Sequence, residues 1–308
     1  MSGMSDATPA RPGMAAVLRS RLPIYRKPTI LGLSIFGYVL FAWLMLVVPS
    51  APHFQSLVGF DSFAYWHAAP LHPYDEPLGM LGSYTYSPAF VQALSPLHLL
   101  PFGVFFVLWD SFLIVNLVWL TGRKALVWLV FLPVPLELYH GNVDLLLAMA
   151  CVLGFEYPAL WSIGLLTKVT PGVCLLWFVV RREWRSLALA LGATAAISAV
   201  SFAIAPSAWF DWARFLATSQ STGPQANDWY QFLIPPLWLR LLAAAAIVVW
   251  GARNDRRWVV PFAAMIAMPV LWVISPAVLT AIPRLRGGSR AAVVERNAQP
   301  QVDDEGDS

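Results

Sequence analysis

The chain has 308 residues, of which 58% are hydrophobic and only 12% are charged, and its formal net charge is +3. Soluble domains carry about 25% charged residues, so the composition excludes an ordinary soluble protein and gives no reason to expect a nucleic-acid partner. Both cysteines, Cys151 and Cys174, lie in apolar segments without metal-ligand spacing, so we predict neither a disulfide nor a metal site for them.

The N-terminal segment is polar and basic, with four arginines preceding Lys27. Positive charge marks the cytoplasmic side of a membrane protein, so residues 1–28 are predicted to form a disordered cytoplasmic tail. The apolar run 29–48 is long enough to span a bilayer and longer than the core of a cleaved signal peptide. The polar loop that follows, about residues 50–85, is therefore predicted to lie on the outer side.

Continuous apolar runs fill the rest of the chain and predict one all-α domain of membrane-spanning helices at about 29–283. The candidate spans are 29–48, 86–100, 103–121, 126–140, 142–156, 158–180, 186–205, 233–252 and 258–281. We expect eight to ten crossings, a second outer loop at 206–232 and a disordered tail at 284–308. With nine crossings, the basic residues at 123–124 and after 283 would lie outside, against the positive-inside rule, so the count stays open.

Asp61 lies in the first outer loop, and no lysine or arginine occurs between Lys27 and Arg123. An acid without a nearby cation at the outer membrane surface suits a catalytic base that acts on lipid-borne substrates. Two interpretations compete with this hypothesis. Asp61 caps a helix that begins at Ser62, or the base is Asp75, whose segment is more typical of a turn.

A divalent cation held by Asp61, His67 and Asp75 is a further alternative, because these residues share the first loop. The ligand set is not clear enough to assign a metal site or any cofactor. Three tyrosines are candidates for stacking on a sugar or lining a lipid groove, with an aromatic belt at the interface as the alternative: Tyr65, Tyr84 and Tyr86.

The second loop contains a stretch, 208–216, that is predicted to be a helix lying in the membrane interface. Arg214, Gln225 and Asn227 are candidates for holding a phosphate or an acceptor sugar. The alternative is that these side chains are simply solvated.

Lys168 is the eleventh residue of the predicted span 158–180. A charge near the middle of a span costs about 3 kcal/mol on insertion scales, so the side chain is expected to face the bundle interior. There it meets a lipid phosphate or forms a structural ion pair with an acid. The candidate acids are Asp144, Glu137 and Asp110. Thr170-Pro171 predicts a kink just after the lysine, which would open a pocket.

The motif His140-Gly141-Asn142-x-Asp144 lies at a break between two apolar stretches. Such a break exposes helix-end amides, so His140, Asn142 and Asp144 are candidates for binding an anionic or sugar ligand. The alternative is a tight turn in which Asn142 tolerates a left-handed conformation.

Several motifs follow one another in a characteristic order, within about residues 29–230. They are Asp61-x-x-x-Tyr65-x-x-Ala68-Ala69, Pro73-Tyr74-Asp75, Tyr84-x-Tyr86-Ser87-Pro88, Trp109-Asp110, His140-Gly141-Asn142-x-Asp144, Gly164-Leu165-Leu166-Thr167-Lys168-x-Thr170-Pro171 and Arg181-Arg182-x-Trp184. Their order and spacing resemble glycosyltransferase family 87 of the GT-C superfamily, whose members are similar to polyprenol-phosphate-mannose-dependent mannosyltransferases.

The resemblance implies a helical bundle in the plasma (inner) membrane, with a lipid-facing active site on the outer face and Asp61 at the position of the base. It implies inverting transfer of a sugar, most directly mannose, from a polyprenyl-phosphate donor to a cell-envelope glycolipid or polysaccharide. The sequence departs from the family where a histidine is expected near the outer end of a C-terminal span, since Met268-Pro269 stands there.

Other functions stay open on the sequence alone. An arabinofuranosyltransferase using polyprenyl-phosphate arabinose is the alternative within the same class. A lipid-linked sugar flippase or transporter would have charged residues along several spans or broken helices in internal repeats. An inactive assembly partner would keep the fold without the transfer reaction.

Overall fold

The structure is a computed structural model that describes residues 58–77, 80–221 and 234–286. Helices and turns make up this part of the chain, and no strand occurs in it, which confirms the predicted all-α class. The predicted N-terminal tail, the first span at 29–48 and residues 287–308 lie outside the described residues, as do the candidates Gln225 and Asn227.

The α-helices are numbered here in chain order. They are α1 Phe60–His67, α2 Pro88–Leu94, α3 Phe102–Thr121, α4 Ala125–Trp128, α5 Pro133–His140, α6 Asp144–Leu153, α7 Trp161–Thr167, α8 Leu176–Val180, α9 Trp184–Ile204, α10 Pro206–Ser221, α11 Leu237–Arg253 and α12 Val260–Ala267. Shorter 3-10 segments join or extend them: Ser95–Leu99, Gly122–Lys124, Pro158–Leu160, Thr170–Leu175, Arg257–Val259 and Ser275–Ala281.

Two helical segments of the described chain are long and apolar enough to cross a bilayer. They are Phe102–Trp128 and Trp184–Ile204, and α5 with α6, bent by 112° at their break, would make a third span. These are fewer than the eight to ten crossings expected from the sequence. The helix predicted at 208–216 in the second loop is present as part of α10, which begins at Pro206; its location in the membrane interface stays a prediction.

Several other predicted spans are interrupted where the sequence contains proline. The predicted span 86–100 is divided into α2 and the 3-10 segment Ser95–Leu99, and the predicted span 158–180 breaks after Thr167, ahead of Pro171. Proline lacks a backbone N–H and clashes with the preceding turn, so one apolar run becomes several short helices. The kink predicted beside Lys168 is thus present.

Large aromatic side chains fill the interior of the bundle. Almost completely buried are Trp161, Trp177, Tyr65, Tyr84 and Phe105. Helix α9, in contrast, turns apolar side chains outward. Its exposed residues include Leu189, Leu191, Ile197, Val200 and Ile204. A long apolar helix with little buried surface suits contact with lipid.

Two positively charged segments that are far apart in sequence meet at one end of the bundle. Arg284 Nε donates a hydrogen bond of 2.6 Å to the carbonyl of Trp119, near the C-terminal end of α3, which Gly122–Lys124 follows. Arg286, two residues further on, lies over the ring of Trp258 at 4.6 Å from the ring centre. The C-terminal arginines therefore adjoin both the 123–124 cluster and the segment after α11.

The remaining basic cluster joins the same end. Arg181 Nη1 lies 3.0 Å from Asp255 Oδ1 and 3.4 Å from the carbonyl oxygen of Ala252. Arg257 lies over the ring of Phe155 at 5.0 Å. We call this end the basic face, formed by the arginines and lysine of 123–124, 181–185, 253–257 and 284–286. All four clusters therefore share one end of the described bundle.

The start of α1 lies near the opposite end of α3. A Cβ atom at Gly59 would lie 2.8 Å from Phe106 and 3.0 Å from Phe102, in the first turns of α3. Helix α3 has 20 residues, which corresponds to a length of about 30 Å. The basic face and the segment that carries Asp61 are therefore separated by about the thickness of a hydrocarbon core.

Gly141 is expected to tolerate no larger residue. Its φ is +66°, and a Cβ there would lie 2.8 Å from the Ser62 Cβ atom and 3.3 Å from Trp109 Cδ1. The substitution Gly141→Ala should lower the free energy of unfolding by about 3 kcal/mol, because left-handed backbone and steric overlap act together. Thermal unfolding in detergent micelles measures the change.

Gly192→Ala is the matched control for that substitution, because nothing in the described chain lies within 4 Å of a Cβ at Gly192. Alanine in a helix interior is more favourable than glycine by about 0.5–1 kcal/mol, so this variant should be as stable as the wild type or slightly more stable. Equal melting temperatures for the two variants would contradict the prediction.

Candidate active site

Asp61 stands in the first turn of α1, and its carboxyl is half-buried. The helix begins after Gly59, whose positive φ of 78° ends the preceding turn, and no side chain caps it. Ser62 Oγ donates to the carbonyl of Gly59 at 2.9 Å. The alternative in which Asp61 caps a helix starting at Ser62 is therefore wrong, and the carboxylate is available to other partners.

Helices α5 and α6 meet at a sharp turn directly beside α1. Gly141 closes α5 in the left-handed conformation, with φ 66° and ψ 40°, and its N–H donates to the carbonyl of Glu137 at 2.8 Å. The sequence alternative that placed Asn142 in the left-handed conformation is wrong, since glycine takes that position. Trp109 Nε1 donates to the Gly141 carbonyl at 2.7 Å and ties the turn to α3.

Asn142 joins this turn to Asp61. Its Nδ2 donates to Asp61 Oδ2 at 2.7 Å, and its Oδ1 accepts the N–H of Val143 at 2.6 Å. The asparagine is 4% exposed. Two residues that are 81 positions apart in sequence are therefore in direct contact inside the bundle.

Lys168 and Asp144 form an ion pair in the interior, with 2.6 Å between Nζ and Oδ1 and side-chain exposures of 9% and 0%. Lys168 lies just past the end of α7, at the break in the predicted span. The next residue, Val169, has the rare positive φ of 51°, and Thr170 N–H donates to the Lys168 carbonyl at 2.6 Å. This i to i+2 bond makes a γ-turn, a strained conformation for a β-branched residue.

Of the three candidate acids, Asp144 is thus the one that pairs with Lys168. Glu137 is fully buried, and its Oε1 accepts the N–H of Leu145 at 3.0 Å, so it binds the first turn of α6. Within the described chain, the ion pair of Lys168 is with Asp144. Three carboxyl groups nevertheless share one neighbourhood with one lysine, since the charges of Asp61, Asp144 and Glu137 all influence one another.

The tyrosines differ from expectation. The rings of Tyr65 and Tyr84 are 1% and 2% exposed, so they belong to the core and present no face to a sugar. Tyr86 is partly buried, and its hydroxyl lies 3.2 Å from that of Tyr65. Of the three, Tyr86 remains the candidate for a direct substrate contact.

Two other predicted residues lie apart from this cluster. Asp75 is exposed in the first loop. Arg214, on α10, is 78% exposed and pairs with Asp211 at 2.9 Å.

His140 lies at the turn itself, edge-to-face with Phe60 at 6.5 Å between ring centres. The residues that the structure brings together are Asp61, Tyr65, Tyr86, His140, Asn142, Asp144 and Lys168.

Sequence reasoning missed Arg240, which lies on α11 and is 8% exposed. Its guanidinium donates to four carbonyl oxygens: those of Pro235, Ile266, Met268 and Pro269. Met268 Sδ in turn lies 3.9 Å from Lys168 Nζ. Arg240 therefore holds the segment Met268-Pro269, where a histidine was expected, next to Lys168. An arginine inside an apolar run was the signal that could have identified it.

The electrostatic environment suits a base. Burial raises the pKa of Asp61 to about 6, opposed by the hydrogen bond from Asn142 and by the charge of Lys168, while the charge of Asp144 raises it further. A carboxylate with a pKa near the working pH accepts a proton more readily than an ordinary aspartate.

The cation site suggested for the first loop is not formed. The described residues contain no group of three or more histidine, cysteine, aspartate or glutamate side chains that could hold a metal ion. His67 instead stacks on Phe63 and lies 3.7 Å from Glu76.

An apolar groove of about 170 Å³ opens next to the cluster. Its walls come from α2, α6, α7 and α9 and include Phe90, Leu146, Leu166 and Thr167. Thr167, one of its lining residues, directly precedes Lys168 in the chain.

The Asp144–Lys168 pair is expected to behave as a unit in stability measurements. Removing one partner, as in Asp144→Asn or Lys168→Met, leaves an uncompensated buried charge and should lower the free energy of unfolding by about 3 kcal/mol. The double variant should lose much less than the sum of the two single variants.

A double-mutant cycle by thermal or denaturant unfolding measures this coupling, and additive losses would contradict it. The control is the exposed Asp211–Arg214 pair, where Asp211→Asn should change stability by about 0.5 kcal/mol at most.

Comparison with known proteins gives three findings. A model of glycosyltransferase family 87 matches residues 84–276, a range that includes Asn142, Asp144 and Lys168 and begins after Asp61. The chain is similar to a polyprenol-phosphate-mannose-dependent alpha-(1-2)-phosphatidylinositol pentamannoside mannosyltransferase of Mycolicibacterium smegmatis, with 28% identity over 39% of this chain. The alignment spans 35% of that relative's length. No solved structure matches the chain significantly.

The family match covers more than half of the 308 residues. The chain belongs to glycosyltransferase family 87.

Proposed function

We propose that this membrane glycosyltransferase moves mannose from a polyprenyl-phosphate donor to a cell-envelope glycolipid or polysaccharide, with Asp61 as the general base. Membership of the family supports glycosyl transfer, and the name of the Mycolicibacterium relative supports the mannosyl donor. The observation that carries the proposal is Asp61, a partly buried residue at the end of the bundle opposite the basic face, whose carboxylate accepts a hydrogen bond from Asn142 and feels the charge of the buried Lys168.

The reaction needs few groups, because a sugar on a lipid phosphate already has a good leaving group. Asp61 takes the proton of the acceptor hydroxyl while that oxygen attacks the anomeric carbon. The bond between the anomeric carbon and the phosphate oxygen breaks, and its electron pair leaves with the polyprenyl phosphate. Attack from the side opposite the leaving group inverts the configuration of the sugar.

Lys168 is the proposed partner of the donor phosphate. An ammonium group has three N–H donors. Asp144 faces one side of it at 2.6 Å and the Met268 thioether faces another at 3.9 Å, which leaves donor capacity for a phosphate oxygen. Negative charge that grows on the leaving phosphate strengthens this contact in the transition state.

The apolar groove supports a lipid-borne donor. Its lining is almost wholly hydrocarbon and ends at Thr167, the residue before Lys168. An isoprenoid chain placed there would gain about 25 cal/mol per Å² of buried apolar surface and would bring its phosphate to the lysine.

The orientation follows from charge. Arginine and lysine concentrate on the cytoplasmic side of membrane proteins, so the basic face is proposed to be cytoplasmic, in the plasma membrane. Asp61 then lies on the outer side, where the acceptor is presented.

Asp61→Asn is expected to reduce transfer about 10²- to 10⁴-fold, because an amide cannot accept the proton. The assay uses purified protein in nanodiscs with labelled polyprenyl-phosphate mannose and extracted envelope glycolipids. Asp75→Asn, an exposed acid of the same loop, is the matched control and should keep wild-type activity.

Unchanged transfer by Asp61→Asn would sink Asp61 as the base, and loss in Asp75→Asn would assign that role to Asp75. If the wild type transfers no mannose from the mannose lipid but transfers arabinose from the arabinose lipid, the proposed donor sugar is wrong and the proposed reaction class is supported.

The pKa of about 6 for Asp61 predicts the acid limb of the pH profile. Below that pH the carboxyl is protonated and cannot act as a base, so kcat/KM should fall about tenfold per pH unit. Initial rates between about pH 5 and 8 measure the limb, with unfolding followed in parallel to show that the protein stays folded. A value of kcat/KM that is constant down to about pH 5 would contradict the assignment.

A further inference from the structure

The amide of Asn142 is bound at both ends, and this determines which way it faces. Its Oδ1 accepts the N–H of Val143 at 2.6 Å, and its Nδ2 lies 2.7 Å from Asp61 Oδ2. A backbone N–H can only donate, so the atom facing Val143 must be the oxygen. The NH₂ group therefore faces Asp61, and Asn142 acts on that carboxylate as a donor alone.

The turn that carries Asn142 is held from several sides. Both Gly141 N–H and Asn142 N–H donate to the carbonyl of Glu137, at 2.8 and 3.2 Å. Trp109 Nε1 donates to the carbonyl of Gly141, and Glu137 Oε1 accepts the N–H of Leu145 on the other side of the turn. A side chain on such a support keeps its position without reorganising.

The two oxygens of Asp61 are consequently not equivalent. Oδ2 is occupied by Asn142, whereas Oδ1 makes no hydrogen bond within the described chain. Oδ1 keeps both of its lone pairs for a proton, whereas Oδ2 uses one of its two for the Asn142 donor.

We propose that Asn142 is a positioning residue that holds Asp61 Oδ2 and thereby directs Asp61 Oδ1 at the acceptor hydroxyl. This rests on the proposed function of Asp61 as base, and it reassigns Asn142 from a direct substrate ligand to a residue that acts through the carboxylate.

The proposal has a consequence for pH dependence. A hydrogen bond donated to the carboxylate lowers the pKa of Asp61, as does the charge of Lys168, while burial and the charge of Asp144 raise it. Other titratable groups in the cluster are Tyr65, Tyr86 and Glu137. Without the Asn142 donor, burial and the charge of Asp144 outweigh the remaining effect of Lys168, so the pKa of Asp61 should rise by about one unit.

Two variants test the role of the donor. Asn142→Ala removes the amide, and Asn142→Asp keeps an oxygen for the Val143 N–H but replaces the donor by an acceptor. In both, the acid limb of kcat/KM should move to higher pH by about one unit or more. The shift should be larger for Asn142→Asp, because a second negative charge beside Asp61 disfavours its ionised form. The plateau of kcat should fall about tenfold or more, with little change in KM, because only the geometry of proton transfer is disturbed.

Asn116 supplies the matched control. It is as buried as Asn142, at 4% exposure, but its Nδ2 donates to the carbonyl of Phe112 within α3, away from Asp61. Asn116→Ala should leave the acid limb where it is in the wild type. A merely structural role for Asn142 would make the two alanine variants behave alike.

A direct titration separates this proposal from the proposed function. ¹³C NMR of aspartate-labelled protein in micelles follows the Asp61 carboxyl, assigned by the resonance that Asp61→Asn removes. A rise of the Asp61 pKa in Asn142→Ala supports the hydrogen bond from Asn142 to the carboxylate, whether or not sugar is transferred. A wild type that transfers no sugar would overturn the proposed function and, with it, the positioning of a base. An unchanged Asp61 pKa and acid limb in folded Asn142→Ala would overturn the positioning role while leaving Asp61 as base.

Discussion

Charge buried inside an apolar helical bundle is the constraint on which the rest of this structure depends. Lys168 and Asp144 meet at 2.6 Å with almost no exposure, and neither charge is tolerable there without the other. The pair forms because two helix breaks lie side by side, one between α5 and α6 and the other after α7. The two helix breaks therefore place the buried charges within contact distance of each other.

The same breaks also determine the surroundings of Asp61, the proposed base. The turn after α5 brings Asn142 to Asp61, and burial in that position holds the pKa of Asp61 near 6 instead of its ordinary lower value. Glu137 contributes by binding the first turn of α6 through Leu145. A site that transfers a sugar already activated by phosphate needs one base and one cation, and this cluster contains both types of group.

Sequence reasoning worked best where a residue type is costly in its surroundings. A lysine within an apolar run and an aspartate in a segment without nearby cations both led to the cluster, because such placements are rare without a partner. The sequence could not identify the acid that pairs with Lys168, because three acids were equally plausible. Only the 112° bend between α5 and α6 decides that Asp144, at the start of α6, is the one that meets it.

Other features could not be predicted because packing decides them. Tyr65 and Tyr84 have the chemistry to stack on a sugar, yet both rings are used to fill the core. Within the described residues, proline and glycine divide several apolar runs into short helices, which apolar length alone does not reveal. Arg240 was overlooked because arginines were read as markers of membrane ends, whereas this one binds carbonyl oxygens in the last turn of α12 and just after it.

The aromatic contacts of the basic face restrain its arginine side chains. Arg284 lies 4.4 Å from the ring centre of Trp119, and Arg286 lies 4.6 Å from that of Trp258. A guanidinium held against a ring cannot extend to follow the headgroups as a free arginine does. With α3 as a spacer of about 30 Å, a thicker bilayer would draw Asp61 below the headgroup layer and a thinner one would lift it clear. If the acceptor is lipid-borne and Asp61 is the base, as proposed, we expect hydrophobic mismatch to control how easily the acceptor reaches Asp61.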